Sequence, residues 1–180
     1  MKNSSFVFPV QKMVLTALFA AVLCVVAPFS VAIGPIPLTF ATLMIYMAAG
    51  TLGWKYGVLS VFLYILLGAV GLPVFSNFRG GFHTIAGVTG GYIIGYIPCA
   101  LATGLIIEVL QKKLWTYVLG MVIGTVLLYT CGTIWFVHQT GNSITMALAL
   151  CVIPFLIGDI IKITLACIIV PKLRSTLSKM

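Results

Sequence analysis

The chain has 180 residues, 62% of them hydrophobic and 7% charged, with ten Lys and Arg against two acidic residues, and its mean hydropathy is +1.23. A soluble domain carries roughly a quarter charged residues, so a water-covered globule is excluded. An integral membrane protein with one compact domain, residues 1–180, is expected. Nucleic-acid binding is not the reading of the basic excess. Apart from Arg79 and Lys162, the cations sit at the termini and in two short turns, where a membrane protein displays its orientation.

Six uncharged runs, separated by Gly, Pro or Lys, read as membrane-spanning helices in an all-α fold. The first is about Met13–Ile33. Lys2 and Lys12 before it, with Ser30-Val31-Ala32 near its end, resemble a signal peptide. Its 21 uncharged residues are enough to span a bilayer, and a retained helix is expected. Gly34-Pro35-Ile36-Pro37 then breaks helix. The second run, about Leu38–Leu52, closes at Gly53-Trp54-Lys55-Tyr56-Gly57, and the third, about Val58–Val70, at Gly71-Leu72-Pro73. A longer loop from Val74 to about Ala86 precedes the fourth, Gly87–Ile107. Glu108 to Lys113 forms a polar turn before the fifth, Leu114–Val137. His138 to Ser143 leads into the sixth, Ile144–Val170, which Pro171 and a basic tail follow.

Six spans put both termini on one side, together with the second–third and fourth–fifth turns. That side carries Lys2, Lys12, Lys55, Lys112, Lys113, Lys172, Arg174 and Lys179, whereas the other carries only Arg79. The bias predicts a multi-pass cell-membrane protein with cytoplasmic termini.

Few residues offer chemistry. The five cysteines share no spacing and read as small buried hydrophobes. His83 and His138 read as interface residues, and nothing has metal-ligand spacing. Glu108 and Lys112 fit a helix-surface ion pair. Small residues recur every fourth position at Ala17/Ala21, Gly87/Gly91/Gly95 and Gly120/Gly124. That spacing suits close helix packing, within the bundle or against another membrane subunit. The loop Phe75-Ser76-Asn77-Phe78-Arg79-Gly80-Gly81-Phe82-His83 combines aromatics, an amide, a cation and paired glycines. It reads either as a plain flexible loop or as a lid over a small-molecule pocket. Asp159 and Lys162 are three apart in the otherwise uncharged sixth run, hence on one helix face. Two charges in a bilayer are costly and commonly functional. Desolvation makes them inefficient as a purely stabilising pair, so a ligand site is expected there, with Pro154 bending the helix to open it.

The chain resembles the BioY family, the biotin-specific substrate-binding subunits of energy-coupling factor (ECF) transporters. The likeness is carried by Gly34-Pro35-Ile36-Pro37-Leu38-Thr39, Leu67 to Phe75, Thr89 to Gly95, and Ile153-Pro154 with Gly158 to Lys162. It implies six membrane helices and high-affinity biotin capture near the outer surface, with no catalysis and no cofactor in this chain. Implied partners are a transmembrane coupling subunit, docking on Ala17 and Ala21, and two ATPase subunits. The implied biotin site draws on Asn77, Phe75 and Arg79 of the third loop, on Tyr92 and Thr39, and on Asp159 and Lys162. Where many members have glutamine and a glycine-proline pair, this chain has Ala41 and Gly87-Val88. Biotin's ureido ring, thioether ring and carboxylate tail match a carboxylate, a lysine, an amide and aromatic side chains in general terms. The alternatives are a subunit for another vitamin, an intramembrane enzyme using Asp159 and Lys162 as acid and base, or a structural membrane subunit.

Overall fold

The structure is a computed structural model that describes residues 7–32, 35–110 and 113–177. Lys2, Ile33, Gly34, Lys112 and Lys179, used in the reading above, lie outside the described residues. The order of elements is α1 (Val7–Val26), β1 (Ser30–Ala32), β2 (Pro37–Thr39), α2 (Ala41–Leu52), α3 (Trp54–Val70), α4 (Phe82–Ala86), α5 (Gly90–Val109), α6 (Leu114–Thr140), α7 (Ile144–Cys151) and α8 (Leu156–Leu177). Single 3₁₀ turns occupy Ser76–Phe78 and Ile153–Phe155. Helix is the natural form for such apolar chain, because it satisfies every interior backbone group within its own segment. Three stretches are long and apolar enough to cross a membrane, namely Gly90–Val109, Leu114–Thr140 and Ile144–Leu177. Three shorter apolar helices, Val10–Val26, Ala41–Leu52 and Trp54–Val70, accompany them.

Several expected boundaries move, each for a local reason. The first helix stops at Val26 rather than running to Ile33. Pro28 disfavours helix in the residue before it, and the chain then turns into β1. This strand pairs antiparallel with β2 in the register Ser30 to Thr39, Val31 to Leu38 and Ala32 to Pro37. The fold is therefore helical with one small β ribbon, and the second helix begins at Ala41 instead of Leu38. The second–third turn shrinks to Gly53, at φ +86°, a conformation glycine adopts at little cost. Trp54 to Gly57 belong to α3. The α6 helix extends through His138. The sixth run breaks at Val152 and resumes beyond Pro154, and α8 passes Pro171 to reach Leu177.

The start of α1 and the end of α8 meet at one end of the bundle, where Leu177 shares a groove with Val10, Gln11, Val14 and Leu15. The α2–α3 hinge lies at the same end. Arg174 donates to the Gly50 carbonyl at 3.0 Å, and the Glu108 carboxylate lies so close to Gly53 that a Cβ there would be 1.9 Å from Oε1. The Glu108 position thus faces the start of α3, while its expected partner Lys112 lies outside the described residues. At the opposite end lie the ribbon, the third loop and the α6–α7 connection.

The glycine spacings within α5 and α6 serve internal packing, whereas Gly87 lies before α5, at the end of α4. A Cβ on Gly91 would stand 2.2 Å from Trp135, and one on Gly124 would stand 2.6 Å from the Thr103 hydroxyl. These glycines let α5 and α6 approach backbone to backbone. Ala17 and Ala21, by contrast, are exposed on α1, whereas Thr16, Phe19, Ala20 and Leu23 of the same helix turn inward. The five cysteines are free thiols, three buried and two half-buried. His83 and His138 are both exposed.

Candidate ligand-binding site

The break at Pro154 sets Asp159 in the first turn of α8, where the helix dipole favours an anion. One turn on, Lys162 stands on the same face. Both are buried, at 5% and 6% exposure. Lys162 Nζ lies 3.3 Å from Asp159 Oδ1 and donates to the Thr42 hydroxyl on α2 at 3.0 Å. Tyr129 of α6 donates its phenol to Asp159 Oδ2. Both carboxylate oxygens are therefore engaged, and the buried charges are matched within a four-residue network. Such matching offsets much of the several kcal/mol that desolvating each ion costs. Among the described residues this is the only ion pair.

The network forms the floor of a cavity. About 50 Å³ of space lies between α2, the ribbon, α5, α6 and the turn before α8. Its walls include Ile36, Leu38, Thr39, Thr42, Tyr92, Ile93, Tyr96, Leu128, Tyr129, Phe155 and Lys162. Asp159 is absent from that wall and lies behind Lys162 and Tyr129. Leu38 of β2 rests on Gly158, 3.3 Å from where a Cβ would be, so the ribbon sits over the start of α8. Thr39 is buried, and its hydroxyl accepts the Ala41 N–H at 3.2 Å, fixing the entry into α2. Tyr92 packs its ring on Gly132, 2.3 Å from a notional Cβ, and directs its hydroxyl to the Cys151 carbonyl at 3.5 Å.

A second, outer chamber of about 240 Å³ adjoins the first. The two share Pro37, Ser76, Thr89 and Ile93 as walls, and the outer one adds Pro35, Phe75, Asn77, Arg79, Thr84 and Val88. The third loop is tightly built here. Phe75 N donates to the Arg79 carbonyl at 2.8 Å. Asn77 and Phe78 both have positive φ, 58° and 56°, a left-handed geometry that asparagine tolerates and phenylalanine rarely adopts. Asn77 N donates to the Pro28 carbonyl at 3.0 Å and to Ser30 Oγ at 3.2 Å, and Ser30 Oγ donates to Asn77 Oδ1 at 3.0 Å. Phe78 meets Phe29 edge to face at 5.5 Å. The loop is thereby tied to the segment that joins α1 to the ribbon.

Phe75 is buried. Its ring lies on Gly68, 2.1 Å from a notional Cβ, and edge-on to Tyr64 at 5.6 Å, so it anchors the loop as well as lining the chamber. Phe78 and Phe82 are 60% and 73% exposed and line neither chamber. The structure thus gathers Thr39, Tyr92 and Lys162 around the inner chamber and Phe75, Asn77 and Arg79 around the adjoining outer one, with Asp159 bonded to Lys162 and Tyr129. It sets Ala17 and Ala21 elsewhere, on the outward face of α1. Sequence reasoning missed Thr42, Tyr96 and Tyr129. Their one visible signal was a hydroxyl in an otherwise apolar span, a group that needs an acceptor in lipid.

Comparison with known proteins follows the same lines. The model of the BioY family matches residues 1–179. Over 167 residues the chain is 36% identical to the biotin transporter BioY of Thermotoga maritima, covering 91% of this chain and 96% of that one. It is 38% identical over 160 residues to the probable biotin transporter BioY of Pyrococcus horikoshii, covering 89% and 94%. Among solved structures it matches the 2.1 Å crystal structure of the S-component for biotin from an ECF-type ABC transporter. The TM-score is 0.86 at 26% identity, over 97% of this chain and 95% of that one. A family match across nearly the whole length, together with these relatives, places the chain in the BioY family.

Proposed function

We propose that this chain captures biotin at the outer face of the cell membrane and delivers it to an ATP-driven ECF coupling module. It does so as a single membrane domain of six spans with cytoplasmic termini. The observation that carries the reading is the buried Asp159–Lys162 pair, both of whose members are held by hydroxyls, at the floor of a cavity that adjoins the third loop. The adjacent start of α1 and end of α8, and the lone Arg79 at the far end, support the six-span orientation. The helices α7 and α8 together make the sixth span.

The inner end of the site is charge-balanced and rich in hydroxyls, which suits the neutral ureido ring. Its carbonyl accepts from Lys162, while Tyr92, Tyr96 and Phe155 cover the apolar bicycle. The carboxylate tail then runs outward to Asn77 and Arg79. Asp159 acts mainly as the fixed counter-ion of Lys162. No cofactor is needed, and the ATPase chemistry belongs to two partner subunits. Docking on the transmembrane coupling subunit uses the exposed face of α1 at Ala17 and Ala21, where small side chains admit a close helix approach.

Labelled-biotin binding to purified protein tests this reading. The parent is expected to retain biotin, and folded Asp159→Asn and Lys162→Ala variants to lose it. Parental affinity in both variants would remove the site assignment. Displacement of biotin by an unrelated vitamin at equal concentration would point to a different ligand.

A further inference from the structure

We propose that the site also takes biotin whose carboxyl is joined to an amine, so that tail amides, biotinyl-lysine included, are bound nearly as well as free biotin. The inference rests on the biotin-binding reading above and concerns which end of the molecule is discriminated. At the inner end, Lys162 already has a buried counter-ion in Asp159 and a hydroxyl acceptor in Thr42. A ligand carboxylate placed there would add a buried negative charge to a balanced pair, at high desolvation cost. The neutral ring is the end that fits. The tail is left to run toward Ser76, Thr89 and Ile93, which border both the inner and the outer chamber.

The outer end is built in the opposite way. Pro35, Asn77, Arg79 and Val88 are exposed on its rim, so the chamber reaches solvent at the point where the tail ends. Arg79 has no ion-pair partner among the described residues, which leaves it as the cation for a tail carboxylate. An exposed ion pair of this kind is worth at most about fivefold in affinity. A carboxamide keeps the carbonyl acceptor that Arg79 and Asn77 can donate to. It gives up only the charge, and its substituent extends into water beyond the rim. Tight selection therefore falls on the ring and loose selection on the tail.

Dissociation constants of the full chain in lipid nanodiscs decide the matter for biotin, biotinamide, biotinyl-lysine and a ureido-N-methylated biotin. Biotinamide and biotinyl-lysine are expected within about tenfold of biotin, and the N-methylated ring is expected not to compete. In Arg79→Gln, the small gap between biotin and biotinamide is expected to close. A loss greater than tenfold for both amides, with biotin bound normally, overturns the proposal. So does retention of the N-methylated ring alongside rejection of the amides. Failure of biotin itself to bind would instead overturn the functional reading on which the proposal stands.

Discussion

The two chambers hold their polar groups by different means. In the inner one, Asp159, Lys162, Thr42 and Tyr129 come from α2, α6 and α8, and three of the four side chains are set in the walls. Those partners are fixed by helix packing, with Asp159, Lys162 and Thr42 buried and Tyr129 half-buried. In the outer one, Asn77 and Arg79 come from a loop held by exposed hydrogen bonds to Ser30, by a backbone bond to Pro28 and by one buried ring, Phe75. Low-dielectric surroundings make the inner contacts strong when made and costly when broken, whereas water softens the outer ones. On the proposed reading, the inner chamber serves recognition and the outer one entry and exit.

Substitutions can break or sharpen that contrast. The largest effect is expected at the ion pair. Lys162→Ala strands the Asp159 charge and should cost about 3–5 kcal/mol of stability, read as thermal unfolding of the purified protein. Adding Asp159→Asn to it should recover much of that loss without restoring biotin binding. A double variant no more stable than the single one would show that the stranded charge is not the cause. Next comes Phe75→Ala, which empties the space over Gly68 and Tyr64. It should cost about 3 kcal/mol and expose the third loop to proteolysis. A protected loop would mean that the hydrogen bonds to Ser30 alone hold it.

Tyr129→Phe removes one donor to a buried carboxylate, worth about 1.5–3 kcal/mol. Biotin affinity should fall by at least about tenfold because Asp159 loses the bond that holds it in place beside Lys162. Unchanged affinity would separate the phenol from the site. The smallest change is expected for Ser30→Ala, which deletes two exposed hydrogen bonds to Asn77, worth about 1 kcal/mol in all. Unfolding should hardly shift, while labelled biotin leaves severalfold faster. A slower or equal release rate would count against the loop as the exit barrier.

Much of the helical plan was legible because lipid imposes it. Runs of uncharged residues have to be helical there, and cations collect at the turns. The misplaced boundaries fall where tertiary partners decide. The Ser30–Ala32 stretch looks like the end of a span until Pro37–Thr39 pairs with it. The Trp54–Gly57 stretch looks like a turn, but Gly53 supplies the whole change of direction. Pro171 reads as a stop but is carried inside α8, because neighbouring groups in such a bundle can tolerate one missing backbone donor.

Asp159 and Lys162 were visible from sequence because two charges stand out in an uncharged span and their spacing of three fixes a common face. The third loop was visible from its unusual mixture of residues. Tyr129 and Thr42 were not visible, since they lie 30 residues before Asp159 and 120 before Lys162, and hydroxyls in apolar helices usually bond their own backbone.

By itself, then, the sequence determined the solvent this protein lives in, the helical material it is made of and the pair of charges at its centre, because composition, hydrophobic run length and helical periodicity are local properties. Only the tertiary structure decided that Lys162 faces the cavity while Asp159 stands behind it, that Phe75 is an anchor, and that the ribbon and third loop are tied together. Those facts depend on which helices meet and at what depth, and no spacing along one segment encodes the partner that another segment brings.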